Sequence, residues 1–494
     1  MSEKLNTPFQ TEDLSIPHSV VSEIYLTPEN EQDRRVVEHY EREILPQSDI
    51  GGKELYASLR GNLKELETLE GWKAVKSRAE TEVDALPDDY LDQLLARTAP
   101  LIRSLPTGHS KGHFLRDTIH LTGNIKDPAV AGSLDSTELI AGITAGIFHD
   151  IGVSIVDRYQ DQQRVGAHAE VGARLFSSVG QDIVPPNLSK LIQYSIAAHT
   201  HYLKPRELKL IGGEVSTAEP YDDTTDGEGD RTAVWLARQS DRRDASGVPF
   251  IVRNALLRAD PVQDFDGEKF IELQSREESF KTQFGLGPEA IDKGILQHCL
   301  NYAVNFYRDN PYTSHDTQYF TETLITPSVE DLALFLSVVS PDKAKELVDK
   351  VRSENPEIAG RIENFLIDSK EIIDTENSET PTAEGIQVSL DKFFDLCRVI
   401  EPANDTEKQI ESLREQFGTL SEEEQQRWSR GFNVLTEHSF TRWKENLAAS
   451  IDGINNTNFE GNNPATQRAL RSVINQLSSV AGEVLSDMVY PAVK

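Results

Sequence analysis

Apolar residues recur at spacings of three, four and seven along most of this chain, the signature of helices that bury one face. The pattern is densest between about 86 and 260, where it predicts helices over Tyr90 to Leu105, Ser110 to Ile125, Ser136 to Ile151, His168 to Val179, Leu188 to Leu203 and Arg231 to about Asp244. Before it, a polar start leads into amphipathic helices at Asp33 to Ile44 and Lys53 to Arg78, with Gly51-Gly52 as a break. The stretch from Gly212 to Arg231 carries Gly-Gly, Glu-Pro and Asp-Gly pairs and a run of acidic residues, so it reads as an exposed loop, either a solvated insertion or a lid.

Beyond Asp260 the chain remains mainly helical. Ser328 and Asp331 form the pattern of a helix start, with Ser328 as N-cap. Polar stretches from Asp374 to Gly385 and from Gly453 to Pro464 read as linkers. A last helix lines up Leu470, Val473, Ile474, Leu477, Val480, Ala481, Val484, Leu485 and Met488, a face for packing within the chain or for self-association. The expectation is an all-α protein with an N-terminal helical region at 1–85, a central domain at 86–270, a helical extension at 271–373 and a C-terminal helical region at 386–494.

Within this helical background one pair of residues is out of place. His149 and Asp150 follow the apolar run Leu139 to Phe148, just before Ile151 and Gly152, which look like the helix stop. Burying an ionised carboxylate costs several kcal/mol or more unless it is paired, hydrogen-bonded or bound to a metal. The same segment supplies His113 upstream and His168, His199, His201 and Asp241 downstream. His199 continues the apolar face of Leu188, Leu191, Ile192, Ser195 and Ile196, and Asp241 shares a face with Val234, Ala237 and Asp244. Gly172, four residues after His168, permits close approach of another element. Several imidazoles with two carboxylates and no thiolate suit octahedral Mn, Fe, Co, Ni or Mg better than structural zinc. Asp150 can bridge two ions, because a carboxylate has two oxygens where an imidazole offers one nitrogen per metal.

Composition narrows the setting. Across 494 residues, 50 Lys and Arg face 82 Asp and Glu, a formal charge of -32 that repels nucleic acid and anionic membrane surfaces in bulk. A phosphorylated substrate then needs local positive charge, which bound metal ions supply. The two cysteines, Cys299 and Cys397, give no disulfide framework. The N-terminus lacks the basic and apolar regions of a signal peptide, and the expectation is that no apolar run approaches the ~18 residues of a membrane span. The expectation is a soluble protein of the reducing cytoplasm.

The order His113, His149-Asp150, His168, His199 and Asp241 resembles that of the HD superfamily of metal-dependent phosphohydrolases. Gly112-His113-Phe114-Leu115-Arg116 is similar to its first histidine segment, Phe148-His149-Asp150-Ile151-Gly152 to its namesake motif, and Ser240-Asp241-Arg242-Arg243 to its final aspartate. His168 to Phe176 is similar to the third histidine segment of the HD-GYP branch, and Ala198-His199-Thr200-His201 stands where that branch has consecutive histidines. The resemblance covers about residues 86 to 260. Val153 occupies the place of that branch's lysine, and no Gly-Tyr-Pro triplet follows His201, which argues against cyclic-di-GMP as substrate.

The resemblance implies that one or two divalent ions are held, one by His113, His149, Asp150 and Asp241 and a second by His168 with His199 or His201, bridged by Asp150. It further implies hydrolysis of a nucleotide or other small phosphate ester by metal-activated water. With Val153 in the lysine position, Arg116, Arg158, Arg164 and His201 are the candidate phosphate contacts. His109 and His120 can share the face of His113, as hydrogen-bonding or packing residues rather than ligands. Two alternatives stand beside hydrolysis: a mixed-valent di-iron oxygenase, a class within the same superfamily, and a regulatory or scaffold protein in which the metal site has become a ligand sensor; the outer helices offer a surface for a protein partner or for self-association.

Overall fold

The computed structural model describes residues 63–67, 69–125, 134–156, 164–199, 207–209, 215–217, 233–244, 247–259 and 325–452, together with positions 296, 299, 300, 303, 304, 467, 471 and 475. Nearly all of these residues are helical, and the protein is all-α as the periodicity predicts. The exception is a short antiparallel hairpin of β1 (Glu207–Lys209) and β2 (Val215–Thr217), with Leu208 opposite Ser216. Val215 to Thr217 therefore form a strand inside the stretch expected to be a plain loop.

The first half consists of α1 (Leu69–Glu82), α2 (Tyr90–Arg103), α3 (Lys111–Ile125), α4 (Ser136–Phe148), the single turn α5 (Val153–Val156), α6 (Arg164–Val179), α7 (Pro186–Ala197), α8 (Ala233–Asp244) and α9 (Gly247–Ala259). Asp135 caps α4 by accepting from the Thr137 and Glu138 amides, which satisfies two of the donors a helix start leaves open. From Thr137 to Phe148 every residue of α4 is buried, so this helix is the axis around which the others pack. Helices α3, α7 and α8 all lie against it. The stretch Ser136–Ile155 is long and apolar enough to cross a membrane, and all of it is covered by the rest of the protein, as a core helix is.

The second half continues with α10 (Thr326–Val339), α11 (Pro341–Glu354), α12 (Pro356–Asp368), α13 (Lys370–Ser378), α14 (Ala383–Ile400), α15 (Thr406–Gly418), α16 (Glu422–Asn433), a π-helical segment at Val434–Ser439 and α17 (Phe440–Asp452). Asn355, Thr382 and Ser421 each cap the helix that follows, the last in a full capping box with Glu424. Helices α14 and α17 pack on α3, while α10, α14 and α15 pack on α9. A main apolar core results, running from Leu63 through the first helices to Trp443, with a small second cluster of Leu334, Val338 and Val434.

Two local expectations are corrected. Asp374 to Ser378 finish α13, and Thr382 starts α14, so the expected linker narrows to a short connection. Helix α10 begins at Thr326 without a side-chain cap, and Ser328 lies inside it. Asp331 is turned instead to Arg442, 3.1 Å away on α17, a partner that local sequence does not reveal. The expected helix at Asp33 to Ile44, the acidic run at 222–230, the Gly453 to Pro464 stretch and the whole of the final apolar stripe lie outside the described residues.

Candidate metal centre

Five helices bring side chains to Asp150. Helix α4 ends at Phe148 and carries His149 in helical conformation at its last turn, with Asp150 next in the tight turn to α5. That turn lies hard against α6: a Cβ on Gly152 would stand 2.1 Å from the His168 carbonyl oxygen and 2.5 Å from the Gly172 nitrogen. Only glycine permits this approach, and the approach brings His168 to the Asp150 carboxylate. Helix α3 supplies His113 from its first turn, α8 supplies Asp241, and His199 stands just past the end of α7.

The two oxygens of Asp150 face different partners. Its Oδ2 lies 3.2 Å from His113 Nε2 and 3.3 Å from His149 Nε2, and Asp241 Oδ1 is 3.6 Å from the same His113 nitrogen. Its Oδ1 lies 3.7 Å from His168 Nε2 and 3.8 Å from His199 Nε2, which are themselves 3.2 Å apart. Donors bound to one ion at about 2.1 Å stand roughly 3 to 3.5 Å from each other in octahedral or tetrahedral shells. The spacing around both oxygens matches that range or slightly exceeds it.

The opposite ring nitrogens are already committed. His149 Nδ1 is 2.7 Å from the Gly146 carbonyl, His199 Nδ1 is 2.6 Å from the Ile196 carbonyl, and His113 Nδ1 is 2.7 Å from Asp244 Oδ2. Such bonds fix the ring and turn the other nitrogen's lone pair into the centre, the arrangement that metal-ligating histidines use. Correspondingly, the Nε2 atoms of His113 and His149 are buried and have no hydrogen-bond partner. Buried polar atoms are nearly always satisfied, and two such nitrogens beside one carboxylate oxygen form a group that could hold a metal ion.

Electrostatics agree with this geometry. Burial works against charge on His149, but Asp150, then Asp117 and Asp241, outweigh it and push the imidazole up to about 10. Burial and Arg253 likewise oppose charge on His113, and the adjacent Asp150 and Asp244 carboxylates raise it to about 9. Burial would raise Asp150, yet His149 and His109 hold it well below the usual carboxylate range. His199 is driven the other way, far below an ordinary imidazole, by burial and by neighbouring His149 and His168. Protons on His113 and His149 thus supply positive charge that a bound ion would replace.

Of the residues expected at the site, His113, His149, Asp150, His168, His199 and Asp241 are brought together, in overlapping groups whose ligand atoms lie within 4.8 Å of one another. His201 and Arg158 lie outside the described residues, as does the side chain of Arg164. Arg116 does not face the cluster. It is fully buried, with Nε and one terminal nitrogen on Asp244 at 2.7 and 3.0 Å, the same nitrogen on Glu401 at 3.0 Å and the other on the Ile400 carbonyl at 2.5 Å. All its donating nitrogens are engaged with protein groups, which replaces the expected phosphate contact with a supporting position behind His113. Val153 is buried in the core beneath the Asp150 turn.

Three further residues enter the site. His109, on the turn before α3, places Nδ1 2.8 Å from Asp150 Oδ2, and its side chain is 30% exposed, far more than the other imidazoles here. It was expected to pack or hydrogen-bond on the His113 face, and it does so from the solvent side. Asp117, one turn after His113, lies 3.5 Å from His149 Nδ1, and burial pushes its carboxyl up to about 7. Asp244 carries His113 from behind and is also approached by Arg253 at 3.2 Å and His120 at 3.4 Å. The sequence signal for Asp117 and Asp244 was their helical spacing from His113 and Asp241, which marks a shared face without naming a partner. The chain matches no protein-family model, no curated protein and no solved structure.

Proposed function

We propose that the protein is a metal-dependent phosphohydrolase or phosphodiesterase of the HD type, acting on a nucleotide or another small phosphate ester. The observation that carries this reading is the division of labour at Asp150, with His113 and His149 on one oxygen and His168 and His199 on the other. His113, His149 and Asp241 would hold one divalent ion and His168 and His199 a second, with Asp150 shared. Ions so held acidify water and screen the charge of a phosphoryl group. The chain's own residues do the rest. Gly146 O, Ile196 O and Asp244 hold three imidazoles in one orientation. His109 bridges Asp150 and solvent, the position from which a side chain meets an incoming ester. With a chain charge of -32, the local cations are what makes an anionic substrate acceptable.

The test is a panel of phosphomonoesters and phosphodiesters offered to protein loaded in turn with Mn, Mg, Co, Ni or Fe. Phosphate release that EDTA abolishes and metal restores is the expected result. Oxygen consumption by the iron form without phosphate release would move the protein to the di-iron oxygenase class, and a metal-loaded protein inert in both assays would place it among regulatory binders.

A further inference from the structure

The segment that carries His109 and His113 is held from behind by a part of the chain almost three hundred residues away. Gly108 donates its amide to Glu401 Oε2 at 2.9 Å across a separation of 293 residues. The other carboxylate oxygen of Glu401 accepts from Arg116 at 3.0 Å, and Arg116 holds Asp244, which holds His113 Nδ1 at 2.7 Å. Glu401 is completely buried, as are Arg116 and His113. Around it the same turn makes further contacts. The Thr107 amide and hydroxyl both donate to Asp405 Oδ1, at 3.0 and 2.8 Å. A Cβ on Gly112 would stand 2.4 Å from the Ile400 carbonyl oxygen and 2.7 Å from Pro402 Cδ, so the start of α3 lies directly on the turn between α14 and α15.

We infer that this turn, Ile400 to Thr406, is a clamp for the metal centre and that Glu401 is its positioning residue. Resting on the metal-binding reading above, the inference makes the C-terminal helices part of the site, since they brace from behind the segment that carries His109 and His113. The physical argument is one of orientation. A ligating imidazole depends on the groups behind it, and loss of such partners typically costs 10- to 100-fold in metal affinity. Glu401 touches none of the ligand atoms, yet it bears on two site histidines at once, the ligand His113 through Arg116 and Asp244, and the Asp150 partner His109 through the Gly108 amide. Coupling of this kind is reciprocal. Metal that orders His113 must also tighten the Thr107 and Gly108 amides against Asp405 and Glu401.

The test compares full-length wild-type protein with Glu401→Gln, titrated with Co2+ and followed by its visible spectrum and by amide hydrogen exchange at Thr107 and Gly108. Glutamine keeps the shape but offers one accepting oxygen where two are used, so the expected result is roughly 10-fold weaker Co2+ binding, an altered spectrum, and loss of the metal-induced protection seen in wild type. A purely structural role for Glu401 would lower stability while leaving the spectrum unchanged, and a folded variant with wild-type affinity and spectrum overturns the clamp. If Glu401→Gln does not fold, Asp405→Asn at the rim of the same turn decides: roughly 3-fold weaker binding is expected, and unchanged affinity and spectrum overturn it. Wild-type protein that takes up no metal defeats the metal reading itself, whereas normal wild-type uptake with indifferent variants defeats the clamp alone.

Discussion

Metal uptake should be coupled to proton release, and the structure sets its size. In the metal-free protein His113 titrates at about 9 and His149 at about 10, so both imidazoles are protonated at pH 7. An ion must displace these protons, which lie roughly two and three pH units above neutrality, and at about 1.4 kcal/mol per unit the opposition at pH 7 totals about 7 kcal/mol. The apparent affinity should therefore climb by up to about two log units per pH unit from pH 7 to 9, then flatten as the two groups lose their protons unaided. The stability of the metal-free protein moves the other way. A histidine raised in the folded state stabilises fully below its unfolded value of 6.5, and that contribution fades as pH rises through about 9 and about 10. Titration calorimetry in buffers of differing ionisation enthalpy gives the proton count directly. About two protons released per chain at pH 7, falling toward none above pH 10, is the expected result. Uptake with no released proton and no pH dependence would refute the placement of these two histidines beside Asp150.

Three further substitutions probe the surroundings of the site. Gly152→Ala forces a Cβ against the His168 carbonyl and the Gly172 nitrogen, backbone atoms that cannot step aside alone; a loss of about 3 kcal/mol in urea unfolding is expected, together with weakened metal uptake, and a neutral result would mean that the turn and α6 do not pack this closely. Arg116→Leu leaves Glu401 and Asp244 buried without their guanidinium, at an expected cost of about 3–5 kcal/mol in denaturant unfolding, whereas a stable variant would show that neither carboxylate depends on it. Tyr90→Phe removes a buried hydroxyl 3.2 Å from Thr144, which still donates to the Ile140 carbonyl, so about 1 kcal/mol is lost while metal uptake stays at the wild-type level.

The helices were legible because their cause is local. Apolar spacing placed the ends of α2, α3 and α8 within a few residues, and the apolar run before His149 proved to be the wholly buried axis of the fold. The convergence of His and Asp side chains was legible for a related reason: an imidazole and a carboxylate at the buried end of such a helix require compensation. His199 shows the limit, since the apolar face leads up to it but the helix stops at Ala197, and the residue reaches the centre from the turn. What remained hidden depends on contacts far apart in sequence. Arg116 carried no sign that Asp244 and Glu401, 128 and 285 residues away, would occupy its guanidinium. Asp331 read as a capping residue because the pattern after Ser328 is a cap pattern, and only packing against α17 revealed Arg442 as its partner. The strand at Val215 to Thr217 pairs with Glu207 to Lys209, a pairing too short to leave a period in the sequence.

The claim on which the rest depends is that both oxygens of Asp150 serve as metal ligands. Elemental analysis of purified wild type and Asp150→Ala, each reloaded with the same divalent ion and desalted, tests it directly. The account predicts one or two ions per wild-type chain and close to none in the variant, with the fold retained by circular dichroism. Full occupancy in a folded Asp150→Ala protein would contradict it.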